Sequence, residues 1–338
     1  MESCEANGLG LQLHRAATAI GLNGNAPYLG EVISKFEHGL QAAYFAETAG
    51  HGIEVQLASL LHDIGHYAYK TVQPQMGQYG AINHEWIGAR LAMEYGFGER
   101  IAALVGYHVD AKRYLAAKKA SYFERLSAAS RQTLIYQGGP MSEKERLAFE
   151  KNPLYKAILQ VRTNDEKGKA LDLKLPEFTY YRQKMARYLG RCNGSHAIDE
   201  DKTIFLVNAA EINHKAVSDE INGRHFDMVL CYPLESVLNT LSHLLPDQLI
   251  IKDYFFAAGA EEVELDELNI CFDAPLSNKQ DYIDEFVSLV RKSTICDYLI
   301  VAPSHWYSLL SQYFGQRQEV VKGQAVFCHL RLSSRILA

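Results

Sequence analysis

The chain has 338 residues and a mass of 38.0 kDa, enough for two domains that each bury a core. Its 34 Lys and Arg against 40 Asp and Glu leave a net charge of −6, which gives no bulk electrostatic drive toward nucleic acid or an anionic membrane surface. Apolar residues at 48% and charged residues at 22% exclude a disordered chain, and six cysteines without a CxxC pair exclude a zinc ribbon or disulfide framework.

The N-terminal stretch lacks a charged start followed by a long apolar run, and no window approaches 18 uninterrupted apolar residues, so a cytoplasmic protein with no membrane contact is expected. From residue 11 to about 190 the apolar residues recur three and four apart, in LQLHRAATAIGL, HGLQAAYFAETAG, VQLASLLHDIGH, HEWIGARLAMEYG and RIAALVGYHV. Gly and Pro punctuate these runs at turns, as in AGHG, YGFG and QGGP. Residues 1–192 therefore read as an all-α bundle. A small, polar linker is expected over 191–202. Beyond it, over 200–338, strand-like runs (TIFLVN, FDMVLCY, DQLIIKDYFF, LNICFDA, CDYLIVAP, QAVFCHLRL) alternate with helical ones (ESVLNTLSHLL, KQDYIDEFVSLVRKS, SHWYSLLSQYF), which predicts a C-terminal α/β domain. That domain carries no P-loop or GxGxxG fingerprint, and no role is readable in it.

Five of the thirteen histidines, His38, His62, His66, His84 and His108, fall among polar signals of the helical region. In LLHDIGHY a continuous helix would put His62 and His66 on one face, with Asp63 about one hundred degrees away. Imidazole and carboxylate together suit Fe, Mn, Zn or Ni, whereas Mg and Ca prefer oxygen-only shells. A carboxylate can also bridge two ions. Lys112, four residues after His108, shares a helix face with it. Ser130, Thr133 and Gln137, at helical spacing, present hydroxyl and amide groups to one side.

The order H…HD…H…H…D, here His38, His62–Asp63, His84, His108 and Asp165, resembles the HD superfamily, most of whose members are phosphohydrolases. NAPYLGE, LLHDIGHY, MGQYGAINHEWIGA, YHVDAKRYL, SAASRQTLIYQGG and LQVRTNDEKGK, across about residues 11–190, are similar to its smaller branch of mixed-valent diiron oxygenases, in particular those acting on aminohydroxyphosphonates. The resemblance implies an all-α HD-domain bundle followed by an α/β extension that it does not cover. It implies two iron ions as an Fe(II)/Fe(III) pair, with dioxygen as co-substrate. His38, His62, Asp63 and Asp165 would ligate one iron. His84 and His108 would ligate the other, with Asp63 as the bridge. His66, Lys112, Ser130, Thr133 and Gln137 would hold the phosphonate. Tyr28 would occupy a metal position until substrate arrives, and Glu31 would meet the substrate amine. The implied reaction is oxidative C–P cleavage of a 1-hydroxy-2-aminoethylphosphonate-type molecule to glycine, or an N-substituted glycine, and phosphate. The rival expectations are a metal-dependent HD phosphohydrolase and a phosphonate-binding sensor. No protein partner is implied.

Overall fold

The computed structural model describes residue 16 and residues 33–66, 75–171, 173–192, 201–232, 234–252, 297–315, 321–322 and 325–331. They divide into two compact units, one within 16–192 and one within 201–331. Among the described residues no helix is long and apolar enough to cross a membrane.

The first unit is helical. Its described helices are α1 (Lys35–Thr48), α2 (Ile53–Leu61), α3 (His84–Glu94), α4 (Gly98–Gly106), α5 (His108–Lys118), α6 (Ala120–Arg125), α7 (Ala128–Tyr136), α8 (Glu143–Glu150), α9 (Tyr155–Lys167) and α10 (Phe178–Cys192). Local chemistry sets several of their starts. The Ser34 hydroxyl accepts from the Glu37 N–H at the head of α1, and Ser142 with Glu145 closes a capping box on α8. Ala42, Ala43 and Ala46 of α1, Leu57, Ala58 and Leu61 of α2 and Ile158 and Val161 of α9 are buried, so the three helices share a core built largely of small residues. Small side chains bring backbones close, and the polar groups carried on these helices are thereby held at short range.

One expectation fails at the most informative motif. LLHDIGH is not one helix: α2 stops at Leu61, His62 and Asp63 form a turn, and a 3-10 turn follows over Ile64–His66. The cause is packing against α3. A Cβ on Gly65 would lie 2.0 Å from the His84 carbonyl oxygen and 2.8 Å from the Gly88 nitrogen, so this backbone crosses α3 at a distance only glycine permits. His62 and His66 consequently point to different places.

The second unit is α/β, in agreement with the alternation in the sequence. Its strands β1 (Asp201–Asn208), β2 (Met228–Cys231), β3 (Ile250–Lys252), β4 (Asp297–Ala302), β5 (Val321–Lys322) and β6 (Ala325–Arg331) form a sheet in the order β3-β2-β4-β1-β6-β5. The first four run parallel, with β1 beside β4 and β2 between β3 and β4, while β6 is antiparallel to β1 and β5 antiparallel to β6. Helices α11 (Lys215–Ile221), α12 (Glu235–Leu244) and α13 (Ser304–Gly315) accompany the sheet. Val229, Cys231, Leu299 and Val301 are fully buried with Val217, Ile221, Val237 and Leu241, as expected for parallel strands covered by crossover helices. Helix α10 reaches Cys192 and β1 begins at Asp201, so both ends of the stretch expected as a linker, 191–192 and 201–202, belong to these elements. The expected strand LNICFDA and helix KQDYIDEFVSLVRKS lie outside the described residues.

Candidate metal centre

Six side chains from five stretches of the first unit converge below the surface in two groups of three. His38, His62 and Asp165 form one triad, and Asp63, His84 and His108 the other, each with its donor atoms within 4.8 Å of one another. All six residues are buried. The Asp63 carboxylate lies between the triads: Oδ2 is 3.5 Å from His62 Nε2, and Oδ1 is 3.3 Å from His84 Nε2 and 3.8 Å from His108 Nε2. In the first triad Asp165 Oδ1 is 3.2 Å from His38 Nε2 and 3.6 Å from His62 Nε2.

The tautomers follow from the backbone. The Nδ1–H of His38 donates to the Gly168 carbonyl at 2.8 Å, that of His62 to Ser59 at 2.8 Å and that of His108 to Val105 at 2.7 Å. Each Nε2 therefore turns a lone pair inward. His38 Nε2 stands 3.1 Å from His62 Nε2, and His84 Nε2 stands 3.3 Å from His108 Nε2. Two lone pairs at that separation repel unless a cation lies between them, either a proton or a metal ion. Nitrogen and carboxylate oxygen donors of this kind suit a first-row transition metal, so the residues fit the ions that the sequence pattern implies.

Electrostatics agree with that demand for positive charge. Burial alone would depress His62, but Asp63 and Asp165 outweigh it and push it up to about 9. Burial would raise both carboxyls; His62 and its neighbours hold Asp63 well below the carboxylate range, and Arg162 followed by His62 does the same for Asp165. Burial keeps His66 and His108 neutral, far below the ordinary imidazole value. Arg162, which the sequence pattern did not single out, is buried and ion-pairs with Asp165 Oδ2, leaving Oδ1 for the triad. Its other groups reach the Tyr122 hydroxyl and Glu166 at 2.9 and 2.8 Å. The spacing of Arg162 three residues before Asp165 on one helix was the available signal.

A pocket of about 450 Å³, counted with its mouth, opens onto the second triad and onto Asp165, and His66, Lys112, Ser130, Thr133 and Gln137 all line it. Lys112 Nζ donates to Thr133 Oγ1 at 2.9 Å. Burial and then the Arg162 charge lower the Lys112 amine to about 7. Instead of joining the ligand nitrogens, His66 stacks on His84 with ring centroids 3.8 Å apart, and its Nε2 is 3.9 Å from Asp63 Oδ1. Arg162 and Lys169 add two further cations to the lining, and Lys169 had no distinguishing signal in the sequence. Tyr28 and Glu31 lie outside the described residues.

The HD-domain family matches residues 36–147, which hold five of the six converging residues. Three relatives align with about half of this chain. A [1-hydroxy-2-(trimethylamino)ethyl]phosphonate dioxygenase (glycine-betaine-forming) of Leisingera caerulea is 41% identical over 172 residues, 51% of this chain and 87% of the relative. A hydroxymethylphosphonate dioxygenase of Gimesia maris is 37% identical over 153 residues, 45% of this chain and 75% of the relative. An uncharacterized protein of Acanthamoeba polyphaga mimivirus is 41% identical over 167 residues, 49% of this chain and 76% of the relative. With three quarters or more of each relative covered at such identity, and with the histidine and aspartate pattern folded into two facing triads, this chain belongs to the HD-domain family that contains these phosphonate dioxygenases.

Proposed function

We propose that this protein is an iron- and oxygen-dependent dioxygenase that cleaves the C–P bond of a 1-hydroxyphosphonate, with a 2-amino-1-hydroxyethylphosphonate-type molecule as substrate and glycine or an N-substituted glycine as product. The observation that carries the reading is the Asp63 carboxylate facing His84 and His108 on one side and His62 of the His38–His62–Asp165 group on the other, beside a pocket lined by Lys112, Arg162 and Lys169. The two relatives named for phosphonate oxidation support it from a separate direction. In the overall reaction a 1-hydroxyphosphonate dianion and O2 become a carboxylate, hydrogen phosphate and a proton. The C–H and C–P bonds at C1 break, one C–O and one P–O bond form, and dioxygen accepts the four electrons.

His38, His62, Asp165 and Asp63 would hold one iron ion and Asp63, His84 and His108 a second, and the pair would supply the one-electron chemistry with dioxygen. The chain supplies the geometry around them. Lys112, with Ser130, Thr133 and Gln137 on α7 and at its end, receives the phosphonate oxygens, and the hydroxyls and amide fix their directions. Phosphonate bound there raises the Lys112 amine from about 7, so the group is protonated when it is needed. His66 is the uncharged donor on the metal side of the pocket. Arg162 keeps one Asp165 oxygen out of the centre, and burial excludes bulk water from the ligand set. The sequence resemblance gives Tyr28 and Glu31 the remaining roles: Tyr28 would yield to substrate and Glu31 would meet the substrate nitrogen.

Protein stripped of metal, reloaded with iron under anaerobic conditions and mixed with hydroxymethylphosphonate, 2-amino-1-hydroxyethylphosphonate and its N-trimethyl analogue tests the reading in an oxygen electrode. One O2 should disappear per phosphate released, fastest with the aminated compounds. Phosphate release without oxygen uptake would establish the hydrolase instead, and binding without either product would establish a sensor.

A further inference from the structure

His66 is one histidine more than the two triads use. It closes the 3-10 turn after Asp63, its side chain is 3% exposed, and its Nε2 lies 3.9 Å from Asp63 Oδ1, close to the 3.8 Å of His108 Nε2. A lone pair on that nitrogen would make it a seventh ligand. The surroundings of its other nitrogen set it apart. The Nδ1 of His38, of His62 and of His108 each meets a backbone carbonyl, whereas His66 Nδ1 is buried without a hydrogen-bond partner.

Gly80 occupies that edge of the ring. Gln75 and Ala81 pair in an antiparallel bridge, the Met76 N–H donates to the Gly80 carbonyl at 2.8 Å, and the Tyr79 N–H donates to the Met76 carbonyl at 2.9 Å. These bonds tie down a short turn in which Gly80 takes a left-handed backbone (φ 91°) that favours glycine. A Cβ on Gly80 would stand 2.7 Å from His66 Nδ1 and 2.9 Å from Cε1. The ring has little room to yield, because it is stacked on His84 at a centroid distance of 3.8 Å.

Glycine thus presents a bare methylene to Nδ1, and no acceptor for an N–H stands there. On the other side of the ring the Asp63 carboxylate only accepts. A proton on Nδ1 would leave a buried donor unsatisfied and would turn the Nε2 lone pair toward that carboxylate, two costs that a proton on Nε2 avoids. We propose that Gly80 is a positioning residue: by fitting where no side chain fits, it holds His66 as the Nε2–H tautomer, which denies that nitrogen to a metal ion and keeps it as a hydrogen-bond donor to a substrate oxygen. The donor role rests on the substrate reading given above; the tautomer does not.

Long-range proton–nitrogen correlation NMR of the full-length protein, before and after zinc loading, reads the tautomer without turnover, with the His66 signals identified by their loss in His66→Gln. His66 should carry its proton on Nε2 in both samples. A proton on Nδ1 would overturn the inference and leave the functional reading standing. In Gly80→Ala the added methyl should dislodge the ring from His84 and so shift the His66 ring-carbon protons; unshifted protons would overturn the inference. In the iron-loaded enzyme Gly80→Ala should lower kcat/KM for a 1-hydroxyphosphonate by about 10- to 100-fold, but by no more than about twofold in the His66→Gln background. An equal loss in both backgrounds would show that Gly80 does not act through His66. If the wild type oxidises no phosphonate, the functional reading falls and the wild-type NMR alone decides the tautomer.

Discussion

Replacing Lys112 by Met should stabilise the metal-free protein and disable it at once. The lysine is 4% exposed, and its amine falls from the ordinary 10.5 to about 7 because burial and Arg162 oppose the charge. Between those two values the unfolded chain binds the proton and the folded one does not, so the wild type gains stability as pH rises from about 7 to about 10.5. Below about 7 both states are protonated and the full penalty applies, on the order of 5 kcal/mol, whereas at pH 9 it has shrunk to about 2 kcal/mol. Methionine keeps the aliphatic stem and carries no charge, and the Thr133 hydroxyl it leaves behind still donates to the Ser130 carbonyl at 3.2 Å. Urea unfolding of wild type and Lys112→Met at pH 6 and pH 9 should therefore show the variant ahead by several kcal/mol at pH 6, with roughly 3 kcal/mol of that lead gone at pH 9. In the iron-loaded protein the same substitution should cut kcat/KM for every phosphonate by about tenfold to thousandfold. A stability difference that does not change with pH would refute the buried, discharged lysine on which the anion site is built.

Asp63→Asn should lose both metal ions while Asp165→Asn loses chiefly one, because Asp63 faces both triads and Asp165 only the first; metal analysis after gel filtration distinguishes a shared loss from a selective one. Gly65→Ala should destabilise the fold by about 1–3 kcal/mol or more, since its Cβ would sit 2.0 Å from the His84 carbonyl oxygen, and thermal unfolding of the metal-free protein reads this directly. Glu31→Gln should lose preference for an aminated substrate over its des-amino analogue, whereas Lys112→Met should weaken both alike; equal harm to both substrates by Glu31→Gln would remove Glu31 from the amine.

The centre was legible from the sequence because its chemistry uses residue types that are scarce in a helical core. His38, His62, Asp63, His84, His108 and Asp165 meet in the structure. What holds them was harder to see. Arg162 reads as an ordinary helix-face cation until its burial and its ion pair with Asp165 are known, and the bend after Leu61 depends on the tertiary contact of Gly65 with α3, which no local pattern reports. A single glycine inside an apolar-periodic run is compatible with a helix, so LLHDIGHY looked continuous. In the second unit the longer strands were readable from their apolar runs. Helix α11, seven residues with only Val217 and Ile221 buried, is too short to show a period, and β5 exists through its pairing of Val321 with Val326 and Lys322 with Ala325.

The buried charges also bear on which ligand the pocket favours. Asp63, Asp165 and Glu85 bring three negative charges, and Arg162 with protonated Lys112 brings two positive ones, so the enclosed side chains sum to −1. An Fe(II)/Fe(III) pair would bring the centre to +4. Charge held away from water is costly in proportion to how much remains uncompensated, so the ligand that lowers it most binds best. A phosphonate dianion would reduce the total to +2, and a carboxylate monoanion of the same size would leave +3. The hydroxyls of Ser130 and Thr133 and the Gln137 amide then orient oxygens that the charge has already attracted. A carboxylate analogue of the substrate should accordingly bind far more weakly than the phosphonate, and the gap should narrow in Lys112→Met, where one of the cations that reads the second negative charge is gone. Competitive inhibition constants for the matched pair in both proteins decide this: an equal gap in wild type and variant would mean that shape rather than charge selects the phosphonate.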